Sequence, residues 1–196
     1  MSDKTAPARL LESAARAIEK SCDGWYLFGA QAVIIWGRPR LTSDVDVTIQ
    51  LRSGHLADFL RDMQTEGFSL RVPDPEPFLA RTRVIPFLHT STQMPLDIVL
   101  AGPGLEESFV QRAITVPIEG LAVPVASPED LIVMKILAGR PKDLEDVRSV
   151  LTEQSGNVDV RYMRSVLEIL EQALGQSDLL PKLEFELMRA SRQRRP

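Results

Sequence analysis

At Ser127 the chain changes character. Before it, strand-like and helical stretches alternate. After it, "SPEDLIVMKILAG", "PKDLEDVRSVLTEQ", "DVRYMRSVLEILEQALG" and "SDLLPKLEFELMRAS" follow one another with helical periodicity and no strand between them. A chain that mixes strands with helices first and then continues in helices alone fits an α+β domain with a helical C-terminal part. The expected division is 1–126 and 127–196. The 196 residues suffice for one full domain with a small helical appendage.

Within the first part, Leu10, Leu11, Ala14, Ala15 and Ile18 recur at helical spacing and predict a helix ending near Asp23-Gly24. "WYLF" (25–28) predicts a short strand running into Gly29, and "AQAVIIW" a short helix stopped by Gly37 and Pro39. Val45 to Leu51 predicts a second strand, "GHLADFLRDMQTEGF" a helix closed by Gly67, and Phe68 to Val72 a further strand. "VPDPEPFLART" reads as a Pro-rich loop. "RVIPFLHT" and "MPLDIVL" predict two strands, with Pro86 placing the first at an edge or a bulge. "GLEESFVQRAITV" predicts a helix and "LAVPVA" the last strand.

The apolar stretches are broken by Gly, Pro or charge well before membrane-span length, so no transmembrane helix is expected. The N-terminus "MSDKTAPARLLESAARAIEK" reads as an amphipathic helix, not a secretory signal. Cys22 stands alone, which rules out an internal disulfide and points to a reducing cytoplasm. The net charge of −4 does not make the whole chain a magnet for nucleic acid. Of 23 basic residues only Lys4, Lys20, Lys135, Lys142 and Lys182 are lysines. The arginines suit bidentate contact with phosphate, and base composition explains them equally well. "RASRQRRP" forms a basic C-terminal tail.

The strand Val45–Leu51 carries an unusual load. Side chains alternate across a strand, so Asp44 and Asp46 share one face while Val45, Val47 and Ile49 take the other. Such a pattern also suits a plain surface strand. Yet like charges about 7 Å apart along a strand repel, and strands are depleted in Asp. A hard divalent cation, which prefers a few carboxylates with water and phosphate, relieves that repulsion. Asp97 in "MPLDIVL" is a third acid in an apolar strand, where a carboxylate without a partner is costly. The three are expected to converge within roughly 4–7 Å, the spacing that shared ions require. Gly29, set before a helix, permits a close backbone approach, and the helix N-terminus offers N–H groups for phosphate. Arg38 and Arg40 flank Pro39 and either grip phosphate or pair with acids. Thr42 and Ser43 either cap the turn or bind phosphate. Lys135, amid "LIVMKILAG", either snorkels or points into a cleft.

"FGAQAV…DVDV" resembles the strand–glycine–helix and acid-pair signature of the DNA polymerase β-like nucleotidyltransferase superfamily. "GAQAVIIWGRPRLTSDVDV" is closer still to AbiEii-type toxins and related bacterial nucleotidyltransferases, and "VASPEDLIVMKILAGRPKDLEDVRSVL" resembles a second, later segment of that group. The resemblance implies a nucleotidyltransferase fold, a mixed sheet flanked by helices, with residues 1–126 as the catalytic domain. It implies that Asp44, Asp46 and Asp97 are catalytic and hold Mg²⁺ or Mn²⁺. It implies nucleotide contacts from Gly29, Ala30, Arg40, Thr42, Ser43, Lys135, Arg140 and Asp143, with Lys135 facing the acids' cleft and Asp143 and Asp146 holding Lys135 and Arg140 in place. Ala30 departs from the pattern, which often has Ser or Gly there.

The activity so implied is Mg²⁺-dependent transfer of a nucleoside monophosphate from an NTP to an acceptor hydroxyl. RNA is the favoured acceptor, and the protein would be the toxin of a toxin–antitoxin pair with a cognate antitoxin as partner. A small-molecule or protein hydroxyl is a second acceptor class. A catalytically silent nucleotide-binding or regulatory module on the same fold is the alternative of a different kind.

Overall fold

The computed structural model describes residues 4–192. Met1–Asp3 and the end of the basic tail, Gln193–Pro196, lie outside the described residues. The chain divides into two compact units, one formed by residues 1–31 and 41–126, the other by residues 32–40 and 127–196. Periodicity alone did not foresee that residues 32–40 go with the C-terminal helices.

The first unit is built on a seven-stranded mixed sheet. Its strands are β1 (Cys22–Phe28), β2 (Val45–Leu51), β3 (Phe68–Leu70), β4 (Val84–His89), β5 (Met94–Leu100), β6 (Ile114–Ile118) and β7 (Leu121–Val125), in the order β3-β4-β5-β2-β1-β7-β6. β1 pairs with β2 antiparallel, β2 with β5 parallel, and β1 with β7 parallel. The remaining pairs are antiparallel. This is the α+β architecture expected from the pattern of elements, with the mixed sheet flanked by helices that the resemblance implies.

Helix α1 (Ala6–Ser21) buries Leu10, Leu11, Ala14, Ala17 and Ile18 against the sheet and against α3 (Leu56–Thr65). α3 answers with Phe59 and Met63. The Phe59 and Phe68 rings meet Phe87 of β4 edge-on, with centroids 6.3 and 6.1 Å apart. Burying an aromatic or branched side chain in such a cluster contributes roughly 1.5–3 kcal/mol. Cys22 is buried at the start of β1, and burial pushes its thiol up to about 12, as suits a packing residue.

Three expectations need correction. "PEPFLART" is a helix, α4 (Pro75–Thr82), not a loop, because both prolines fall in the first turn, where no N–H partner is lost. "ITVPI" is not the end of a helix. α5 (Leu105–Arg112) stops before it, and the β-branched run forms edge strand β6, where Pro117 is tolerated. Glu119 and Gly120, both at positive φ (47° and 86°), then turn β6 into β7 with Ile118 opposite Leu121. β4 is internal, not an edge, yet β3 pairs only with residues Phe87 to His89 of it. The Pro86 carbonyl accepts from the Arg71 N–H just beyond the end of β3, and the return bond that Pro86 cannot give, having no N–H, falls where that ladder ends.

The second unit contains α6 (Pro128–Ala138), α7 (Pro141–Glu153), α8 (Val160–Leu174) and α9 (Leu179–Arg192). Ser127 caps α6 by accepting from the Asp130 N–H at 3.1 Å, with Pro128 at its first turn. Gly139 closes it at φ 63°, and Pro141 opens α7 at once. Tyr162 on α8 donates its hydroxyl to buried Asp130 at 2.6 Å, and Arg148 on α7 grips buried Glu186 on α9 through Nε at 2.8 Å and Nη2 at 3.2 Å. Among the described residues no helix is long and apolar enough to cross a membrane.

Candidate active site

β1 ends at Phe28, whose register partner is Asp46 of β2. Gly29 follows at φ +64° and opens α2 (Gly29–Trp36). A Cβ on Gly29 would stand 1.9 Å from Asp46 Oδ2 and 2.7 Å from its Cγ. Glycine is therefore required twice, by the backbone torsion and by the carboxylate packed against it. The N–H groups of the first turn of α2, at Gly29, Ala30 and Gln31, have no acceptor inside the helix. Unsatisfied N–H groups at a helix start are suited to an anion such as phosphate.

β2 places Val45, Val47 and Ile49 in the core and leaves Asp46 half-buried, as the alternation required. In the parallel ladder Asp46 is the direct partner of Asp97. Parallel neighbours lie about 4.8 Å apart. Asp44 stands one residue ahead of β2, and its Oδ1 accepts from the Thr42 hydroxyl at 2.7 Å. Ser43 is exposed in the bend between them.

Asp97 is less buried than its apolar neighbours suggested. Its side chain is 34% exposed, and its Oδ1 is paired with Arg71 Nη2. That arginine went unnoticed in the sequence. Only the β4–β5 register and the close of β3 bring it to Asp97, and no local spacing encodes that. The carboxylates therefore do not converge as a ready cluster. Among the described residues no three His, Cys, Asp or Glu side chains are grouped to hold a metal ion. Asp44 is turned to Thr42, Asp46 is packed against Gly29, and Asp97 is turned to Arg71. The backbone placement still fits a divalent cation. It sets hard oxygen donors on neighbouring strands, with Asp46 in register with Asp97 and packed against Gly29, and oxygen donors of this kind suit a hard divalent cation.

In the second unit, Lys135 is buried on α6 and does not snorkel to solvent. Its Nζ donates to Asp143 Oδ1 at 2.9 Å and Asp146 Oδ2 at 2.8 Å, both on α7. Arg40 grips Asp146 with two bonds, at 2.8 and 2.9 Å, and Arg140 grips Asp143 through Nε. The result is an alternating chain, Arg40–Asp146–Lys135–Asp143–Arg140. Burial pushes the Asp143 carboxyl up, but the hydrogen bonds from Arg140 and Lys135 outweigh it and hold the group below its ordinary range. Arg38, Arg40, Lys142 and Arg148 also line an open cavity of about 470 Å³ in this unit, together with Glu145 and Asp146.

A strand–glycine–helix turn set against an acid-bearing strand of a mixed sheet is the arrangement that the sequence resemblance implies. The chain belongs to the family described as "Nucleotidyltransferase of unknown function (DUF6036)", which matches residues 9–186. It is accordingly an enzyme of the nucleotidyltransferase class. No curated protein matches the chain.

Among solved structures it is similar to the antibiotic-resistance factor ANT(2'')-Ia, at 16% identity and a TM-score of 0.56 over 87% of this chain and 93% of that one. It is similar also to an antigenic nucleotidyltransferase-like protein from Paracoccidioides brasiliensis, at 19% identity and a TM-score of 0.56 over 92% and 94%. A third is the lincosamide antibiotic adenylyltransferase LnuA, at 13% identity and a TM-score of 0.51 over 76% and 98%. At these identities the likeness is one of fold.

Proposed function

We propose that the protein transfers a nucleoside monophosphate from an NTP to an acceptor hydroxyl, in a reaction that requires Mg²⁺ or Mn²⁺ and releases pyrophosphate. The observation that carries this reading is the register of Asp46 against Asp97 beneath the Gly29 turn. Residues 1–126 supply the acids and the turn, and residues 127–196 form the helical part.

Asp44, Asp46 and Asp97 would hold the cation, which when bound neutralises triphosphate charge. The Gly29, Ala30 and Gln31 N–H groups receive phosphate oxygens. Ala30 offers only its backbone, since it has no hydroxyl. Thr42 orients Asp44, and Ser43 is available to phosphate. Asp97 Oδ2, the oxygen that Arg71 does not hold, accepts the proton of the attacking hydroxyl. The new bond joins the acceptor's hydroxyl oxygen to the α-phosphorus, the bond from that phosphorus to the α–β bridging oxygen breaks, and pyrophosphate leaves with the electron pair. Positioning and charge neutralisation carry such a transfer. Arg40, Lys135 and Arg140 set three cations against the two carboxylates of Asp143 and Asp146, a surplus suited to a polyanion. Asp143 acts here by holding Lys135 and Arg140, not by touching phosphate.

The sequence resemblance to AbiEii-type toxins supports RNA as the acceptor and a toxin role with a cognate antitoxin, and the lone Cys22 supports a cytoplasmic setting. A second reading has a small-molecule hydroxyl as acceptor. What supports it is the fold likeness to ANT(2'')-Ia, solved in complex with adenylyl-2''-tobramycin, and to lincomycin-bound LnuA. The test is incubation with each α-phosphorus-labelled NTP and, in turn, total RNA, aminoglycosides with lincosamides, and protein. Label in RNA supports the first reading, and label in a small molecule only replaces it with the second. No label anywhere, together with no nucleotide binding by calorimetry, leaves a silent module.

A further inference from the structure

Arg71 follows β3 and is fixed at three points. Its backbone N–H donates to the Pro86 carbonyl at 2.9 Å, and its Nε to the Phe87 carbonyl at 3.0 Å. Its Nη2 holds Asp97 Oδ1. The first two contacts involve β4 backbone and do not depend on Asp97. The guanidinium is therefore tethered beside the acid pair whether or not it keeps Oδ1. It also answers an electrostatic need, since Asp97 is the ladder partner of Asp46 and the two carboxylates repel. Thr42, which holds Asp44, is neutral and brings no such charge.

We propose that Arg71 is the resident counter-ion of Asp97, displaced from Oδ1 when a divalent cation binds, and that it sets the affinity of the acid set for that cation. This rests on the reading of Asp97 as a ligand to the ion. A fixed positive charge next to a ligand disfavours a second cation at the same oxygen. An arginine here keeps the acids paired until a cation bearing triphosphate arrives, and lets go without leaving the neighbourhood. Arg71 is thus a positioning residue for Asp97, acting on the ion and not on the reacting phosphorus.

The experiment is a titration of Mn²⁺ alone, followed by the electron paramagnetic resonance of the free ion, on wild type, Arg71→Gln, Arg71→Lys, Asp97→Asn and the Arg71→Gln/Asp97→Asn pair. Arg71→Gln is expected to tighten Mn²⁺ about three- to five-fold, the range of a partly exposed ion pair. Arg71→Lys, which keeps the charge, should stay near wild type. Asp97→Asn should weaken binding, and in its background Arg71→Gln should have no further effect. If Arg71→Gln leaves affinity unchanged or weakens it while Asp97→Asn weakens it, the counter-ion role is overturned and the metal reading stands. If Asp97→Asn binds Mn²⁺ as wild type does, both are overturned.

Discussion

Asp46 and Asp97 face each other across a parallel ladder, on β2 and β5, in direct register. Two carboxylates so placed repel each other, Arg71 answers that charge at Asp97 alone, and nothing in the packing of Val45, Val47, Ile49, Leu96 or Ile98 needs an acid at either position. Under the transfer proposed above, the pair is kept for the cation it would hold. Asp46→Asn should therefore lower nucleotidyl transfer by at least about a hundred-fold. The same variant without metal should melt no lower than wild type, because relieving like-charge repulsion returns roughly 0.2–1 kcal/mol. Calorimetry paired with the transfer assay checks both. A variant that is inactive and clearly less stable would make Asp46 a structural residue.

Gly29→Ala tests the turn. The new methyl meets Asp46 Oδ2 at 1.9 Å and also has to accept φ +64°. The strained backbone alone costs about 1–3 kcal/mol, and the clash adds to it. Asp46→Ala removes the carboxylate but not the torsion, so the two substitutions should be non-additive by more than about 1 kcal/mol. Urea unfolding of the two singles and the double variant measures that coupling. Simple additivity would show that the carboxylate is not what excludes a side chain at Gly29.

Much of the backbone placement was legible in residues because it is local. Gly29 lies where β1 turns into α2, and Asp46 follows on β2, so a glycine before a helix and period-two alternation foretell the turn and the half-buried acid but not the convergence of the carboxylates. Lys135, Asp143 and Asp146 lie within two successive helices, yet local pattern left Lys135 open between snorkelling and a cleft, and its pairing with both acids is settled only by how α6 packs on α7. Arg71 could not be found this way. Its meeting with Asp97 depends on where β3 stops and how β4 registers on β5, which are non-local facts. The hairpin of β6 and β7 was legible in principle. "ITVPIEGLAVPV" has two β-branched runs around a two-residue turn with glycine second, and its helical neighbour "GLEESFVQR" masked it. "PDPEPF" misleads because proline in a first turn looks locally the same as proline in a loop.

Lys135→Met should be severe. It leaves the buried Asp143 and Asp146 carboxylates with only Arg140 and Arg40 to answer them. Breaking a buried ionic network from one side costs about 3–5 kcal/mol, and the remaining arginines place this case at about 3. Adding Asp143→Asn and Asp146→Asn should recover part of the loss, since uncharged partners need no cation. Urea unfolding of the series checks this. A triple variant no more stable than Lys135→Met would mean that the lysine acts through packing of its stem.

Asp143 gives the chain a defined acid sensitivity. Its carboxyl is held below the ordinary value of 3.8, where burial pushes it up but the Arg140 and Lys135 hydrogen bonds prevail. A carboxyl with a lowered folded pKa binds its proton more readily in the unfolded chain. Its contribution to stability is therefore complete above the unfolded value and is lost as pH falls through the folded one. The stability gap between wild type and Asp143→Asn should be flat from about pH 7 to about pH 5 and should close progressively below the ordinary 3.8. Urea unfolding of both proteins at stepped pH reads this directly. The variant differs from wild type only in this carboxyl, so the closing gap belongs to it. A gap that persists unchanged at the acid end would assign the role of Asp143 to shape and not to charge.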